Sequence, residues 1–184
     1  MTSVASNLGV AHLLIVQLAA FLAALLVASG LHKLILRDRT RAVVHDFVGV
    51  PRRLAPLVVA AVAATEMLAG ILLWMPSSRA AGGALAVLLW GGYLGLILRA
   101  IAQGRRDVDC GCSFGAEQRP LGTYHVARNA GLTGAALLVA GASAASVTGP
   151  VIASQILAAL ALLALYGALD QVMSLTPPRT GALL

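Results

Sequence analysis

The sequence predicts an all-α, polytopic transmembrane helical bundle of five spans, forming a single integral membrane domain over residues 1–184. Two observations predict it: a composition that cannot cover itself with polar surface in water, and five apolar runs of membrane-crossing length. Hydrophobic residues make up 59% of the chain and charged residues only 11%, whereas a globular domain is about a quarter charged. Mean hydropathy is +0.89. The runs are Leu8 to Leu31, Leu54 to Met75, Ala80 to Leu98, Thr123 to Ala142 and Pro150 to Leu169. Each is near the roughly 20 residues that cross about 30 Å of hydrocarbon as a helix. Backbone N–H and C=O groups in lipid must be satisfied within the segment, so Ala/Leu-rich runs without strand alternation are read as helices.

The first run has no Lys or Arg among residues 1–12. It lacks the basic leader of a secretory signal and is expected to remain as a span. The second ends at Trp74, an indole at interface depth, before a tight turn from Met75 to Arg79 that contains Pro76 and two serines. The third carries Gly82, Gly83, Gly91, Gly92 and Gly95, small residues that let helices approach closely. The GxxxG spacing of Gly91 and Gly95 is read as packing within this chain in preference to a homodimer face. The fourth opens on Arg128 and Asn129, an expensive start for a membrane helix. A stretch of small, uncharged residues, Gly141 to Pro150, joins it to the fifth. If that stretch were buried, the last two runs would form one re-entrant unit and the count would fall to four.

The formal charge of +6 does not point to nucleic acid, because of where it sits. Lys33, Arg37, Arg39, Arg41, Arg52 and Arg53 lie in or beside the first connection. Arg99, Arg105, Arg106, Arg119 and Arg128 bracket the third, and Arg179 is in the tail. With five spans these regions share one side of the membrane, leaving only Arg79 on the other. The positive-inside rule makes the basic side cytoplasmic, with the N-terminus outside and the C-terminus inside a bacterial cell membrane.

Cys110 and Cys112 are the only cysteines, one glycine apart, in the polar connection before the fourth span. Unreactive cysteines behave as small hydrophobes and usually fall within apolar runs; these do not. A bridge between residues i and i+2 is strained and easily reduced, and Gly111 and Gly115 supply backbone freedom around it. The pair therefore reads as redox-active, as inert thiols or a fixed local disulfide, or as part of a metal site. The last needs more ligands than two cysteines with His125 nearby. Glu66 is the sole acidic residue inside an apolar run. An intramembrane carboxyl is costly unless paired, so it either locks two helices together or meets Arg128, His32 or Lys33. His12, Gln17 and Asp170 read as interface or interhelical polar groups. No CxxCH and no pair of broken spans points to haem or transport.

The run Asp109-Cys110-Gly111-Cys112-Ser113-Phe114-Gly115, followed by Val126-Ala127-Arg128-Asn129 at the start of a membrane helix, resembles the methylamine utilisation protein MauE family. Gly30-Leu31-His32-Lys33 at the end of the first span and Glu66 in the second also resemble the pattern of that family and of related DoxX-like membrane proteins. One departure is Ser113, which stands where Cys-Gly-Cys would be followed directly by Phe-Gly. The resemblance implies a DoxX-like arrangement of a four-span core plus one. It also implies a component of a thiol-disulfide oxidoreductase system acting with a thioredoxin-like partner of the MauD or TlpA type, as in maturing the methylamine dehydrogenase light chain. It makes Cys110 and Cys112 the reacting pair, with Glu66, Arg128, Asn129, Asp109, Lys33, Gly111, Phe114 and Gly115 supporting them. No cofactor beyond a redox-active disulfide is implied, and a quinone is compatible with it. The competing reading is a non-catalytic membrane subunit that docks a partner. The family's exported substrates lie outside the membrane, whereas the charge distribution places the cysteines inside.

Overall fold

A computed structural model describes residues 2–105, 121–142 and 150–175, with side chains over 9–105, 121–142 and 151–173. Every regular element among the described residues is helical: α1 (Thr2–Ile35), α2 (Arg37–Val43) with a π turn at Val44–Val48, α3 (Ala55–Trp74), a 3₁₀ turn at Pro76–Ser78, α4 (Arg79–Ala102), α5 (Thr123–Gly141) and α6 (Pro150–Leu175). The protein is thus of the all-α polytopic class.

The predicted spans and the long helices coincide closely, and the differences have physical causes. The first helix continues past Leu31 to Ile35 because Lys33, which the apolar pattern excludes, is buried against α3. The basic connection after it is partly helical, with α2 and the π turn stopping at Gly49. That residue adopts φ +84°, a backbone state that glycine takes without penalty. Pro56 sits in the first turn of α3, where its missing N–H is no loss. At the other end of α3, Ser78 Oγ donates to the Leu72 carbonyl at 3.0 Å and Arg79 Nε to the Leu73 carbonyl at 3.3 Å. These contacts satisfy carbonyls that the helix end leaves open and put a cation at its negative pole.

The count of five spans is corrected. Among the described residues, four helices are long and apolar enough to cross a membrane: Gly9–Ile35, Ala55–Trp74, Pro76–Ala102 and Val151–Met173. The span expected at Thr123 to Ala142 falls short because Tyr124, His125, Arg128 and Asn129 crowd its first two turns. Nevertheless α5 lies along α4 from end to end. A Cβ on Gly83 would meet Ala140 at 2.9 Å, a Cβ on Gly91 would stand 3.9 Å from Thr133, and Leu121 and Val126 pack on Ile97 and Ala100.

The same contacts fix the directions of the helices. Gly30 faces Ala63 and Met67 while Gly70 faces Ala23 and Val27, so α1 and α3 run antiparallel. Leu22, Leu25, Leu26, Leu73, Trp90 and Val139 form the centre of the bundle. Leu57, Leu88, Leu138, Leu157 and Leu165 are each more than 60% exposed on the outer faces. Water would not tolerate such a surface, but hydrocarbon matches it.

Close helix approach falls at glycines other than the GxxxG pair. Gly30, Gly70, Gly82 and Gly83 all lie within 3 Å of where a Cβ would meet a neighbour. Gly95 has nothing within 4 Å. Of the Gly91–Gly95 pair, Gly91 meets Thr133 of α5 at ordinary contact distance, whereas Gly95 is turned outward and does not pack within this chain as expected.

Candidate functional site

Gly30 lies one turn before Lys33, and its lack of a side chain lets α3 approach to the point where a Cβ would stand 2.9 Å from the Ala63 carbonyl. That approach brings Glu66 level with the last turns of α1. Glu66 is fully buried and Lys33 is 7% exposed. Lys33 Nζ donates to Glu66 Oε1 at 2.8 Å and to Ser29 Oγ at 2.8 Å, and Ser29 Oγ in turn donates to Glu66 Oε1 at 3.1 Å. Tyr93 of α4 donates its hydroxyl to the same oxygen at 2.7 Å. One carboxylate oxygen thus ties together three helices. The other, Oε2, is buried with no hydrogen-bond partner among the described residues. Taking two charges out of water is costly, and the Ser29 and Tyr93 hydrogen bonds offset part of that cost at Oε1 while Oε2 is left without one among the described residues.

A second pair joins α5 to α6. Arg128 donates to Asp170 Oδ1 at 2.9 Å and the Tyr124 hydroxyl to the same atom at 3.2 Å. Both charged side chains are nearly inaccessible, and the guanidinium stands 6.0 Å from the Tyr124 ring, within cation–π range. Asn129 is also buried, but its amide turns back to the His125 carbonyl of its own helix at 2.9 Å. Between the two pairs lies a cavity of about 20 Å³ lined by Ser29, Lys33, Tyr93, Arg128, Asn129 and Tyr166 among others. That is enough space for one water among several polar groups.

Lys33 in the last turn of α1 and Arg128 in the second turn of α5 lie toward the end of the bundle where α1 and α4 finish and α3 and α5 begin, and Lys33 reaches Glu66 midway along α3. Arg37, Arg39, Arg41, Arg52, Arg53 and Arg99 lie at this end, and Arg105 there donates to the Asp46 carbonyl of the π turn. Arg79 lies at the opposite end. Of the residues singled out in the sequence, Lys33, Glu66, Arg128 and Asn129 come together in this polar layer. Glu66 takes Lys33, one of the partners expected for it, while Arg128 takes Asp170 and not Glu66. Cys110 and Cys112, with Asp109, Gly111, Phe114 and Gly115, lie outside the described residues. The described chain breaks off at Arg105 and resumes at Leu121, and both positions belong to the end that holds the polar layer.

Ser29, Tyr93 and Tyr124 were not singled out from the sequence. A signal for the tyrosines exists: a phenol within a membrane helix needs a partner for its hydroxyl, and Tyr93 stands between glycines in an otherwise apolar run. His125 is buried, with Nδ1 accepting the Gly122 N–H at 3.4 Å.

The family model described as methylamine utilisation protein MauE matches residues 10–142. No curated protein and no solved structure matches the chain. The matched region holds Glu66, Lys33, Arg128 and the Cys-Gly-Cys segment, and it ends with α5, so Asp170 on α6 lies beyond it. With more than half of its length matched, this polytopic helical membrane protein belongs to the MauE family.

Proposed function

We propose that this chain is a membrane thiol-disulfide redox protein in which Cys110 and Cys112 exchange with a thioredoxin-like partner of the MauD or TlpA type. The observation that carries this reading is the position of the two cysteines in the sequence: one glycine apart, in a connection whose flanking residues both belong to the polar-layer end. The thiolate of one cysteine attacks a sulfur of the partner's disulfide, forming a mixed disulfide and releasing one partner thiolate, which takes up a proton. The second cysteine gives up its proton and attacks the first. The partner leaves as a dithiol and the pair is left bridged. Run in reverse, the same steps oxidise the partner. Glu66 with Lys33 holds α1 to α3, and Arg128 with Asp170 holds α5 to α6, in fixed register around the root of this connection.

In this proposal the exchange serves the maturation of an exported, disulfide-bearing protein such as the methylamine dehydrogenase light chain. The basic end faces the cytoplasm by the positive-inside rule, so electrons enter from a cytoplasmic thiol and pass outward.

A tagged Cys112→Ser or Cys110→Ser chain is expected to accumulate a reductant-sensitive adduct on a non-reducing gel. The two variants differ, because only the one that keeps the attacking sulfur traps the partner, which mass spectrometry then identifies as a thioredoxin-fold protein. If both single variants form no adduct and leave the partner's oxidation state as in the parent cells, the cysteines are incidental and the chain is a docking subunit.

A further inference from the structure

A cavity of about 200 Å³ opens between α2 with its π turn, α3 and α4. Its walls are apolar, with Val44, Phe47, Val59, Val62, Leu96 and Ile97 among them. Three polar side chains reach it: Thr40, Tyr93 and Lys33. Thr40 donates to the Leu36 carbonyl in its own stretch of helix, and Tyr93 donates to Glu66. Lys33 has three N–H bonds. Two go to Ser29 and Glu66, the ammonium also stands 5.5 Å from the centre of the Tyr93 ring, and no oxygen among the described residues accepts the third.

These features specify a ligand. It must be largely apolar, because the walls are, and it must offer a hydrogen-bond acceptor, because a buried ammonium N–H without one is costly. Its acceptor should be uncharged, because Glu66 already balances Lys33, so a phosphate or carboxylate headgroup would bring an excess charge into a low-dielectric site. Size fits a single substituted ring: an engineered cavity of about 150 Å³ in another protein admits benzene. We infer that this cavity binds the head of a membrane quinone, with one carbonyl accepting from Lys33 and the isoprenoid tail running out to lipid. The redox consequence rests on the function proposed above. Oxidation of the Cys110 and Cys112 thiols to a disulfide releases two electrons and two protons, which the quinone takes up to become the quinol.

The test uses the full-length protein in detergent, both as the parent and as the Cys110→Ser/Cys112→Ser chain, labelled with an azido-ubiquinone and mapped by mass spectrometry. Label is expected within residues 43–48 and 58–62. Decylubiquinone should displace it at a concentration at least tenfold lower than decylbenzene, which has the tail and ring but no carbonyl. Val62→Trp, which fills the cavity, should cut labelling at least tenfold, and Val58→Trp serves as a second filling variant should the first alter the melting temperature. Label placed elsewhere, label unmoved by filling, or equal displacement by decylbenzene would each overturn the quinone site. Because the cysteine-free chain binds in the same way, such a failure leaves the thiol exchange standing. Normal labelling together with inert cysteines in cells removes the exchange and keeps the site.

Discussion

Glu66→Ala is expected to destabilise the bundle by about 3–5 kcal/mol, the cost of leaving one partner of a buried pair uncompensated. Lys33 is 7% exposed, so its ammonium cannot reach water without moving the end of α1. The same change removes the acceptor of the Ser29 and Tyr93 hydroxyls, which adds to the loss. Lys33→Met in that background should restore most of the stability, since an apolar pair of similar volume often matches a buried ion pair. Glu66→Gln should fall between, keeping an acceptor while leaving the cation alone. Reversible unfolding in mixed micelles measures all four proteins. A Glu66→Ala chain within about 1 kcal/mol of the parent would contradict the pairing, because a buried, singly partnered ammonium carries a larger penalty than that.

Arg128→Met should cost about as much, by the same reasoning, since it removes the cation facing the Asp170 carboxylate, which is 2% exposed on α6. The combined Arg128→Met/Asp170→Leu chain should recover toward the parent. The two pairs line one small cavity, so the Arg128 and Glu66 losses should depart from additivity by about 0.5–3 kcal/mol. Additive losses in unfolding measurements would show that the small cavity between them does not couple the pairs. Since Asp170 lies beyond the matched region, this pair also tests how far the ion pair, beside the apolar face, fastens α6 to the core. If Arg128→Met leaves α6 as resistant to proteolysis as in the parent, the apolar face suffices.

The helices were legible in the sequence because lipid imposes a simple rule on every exposed residue, and unbroken Ala/Leu runs obey it. Boundaries slipped where a polar residue was satisfied inside the bundle, since such a residue looks like a helix end to any pattern of apolarity. Lys33 shortened the predicted α1, and the apolar second half of α5 made the whole helix read as a span although Arg128 and Asn129 leave it too polar for one. The layer's cost was legible, its wiring less so: Glu66 demanded a partner, and proximity along the helices left Lys33 and Arg128 equally available. Only the close approach at Gly30 decides between them. Tyr93 stayed hidden because a hydroxyl at the edge of a glycine-rich run carries no charge to draw attention. The Gly91–Gly95 spacing misled for the converse reason, as a spacing records which residues share a face and not which way that face points.

The central claim is that Cys110 and Cys112 alternate between dithiol and bridged forms at the basic end of the bundle. Labelling with a membrane-impermeant maleimide, on intact and then permeabilised cells, with and without prior reduction, tests it most directly. The account predicts no labelling of intact cells, partial labelling after permeabilisation, and complete labelling only when reductant is added first. Labelling that is complete without reductant would show a pair that never bridges, and labelling of intact cells would put it on the opposite face; either result contradicts the account.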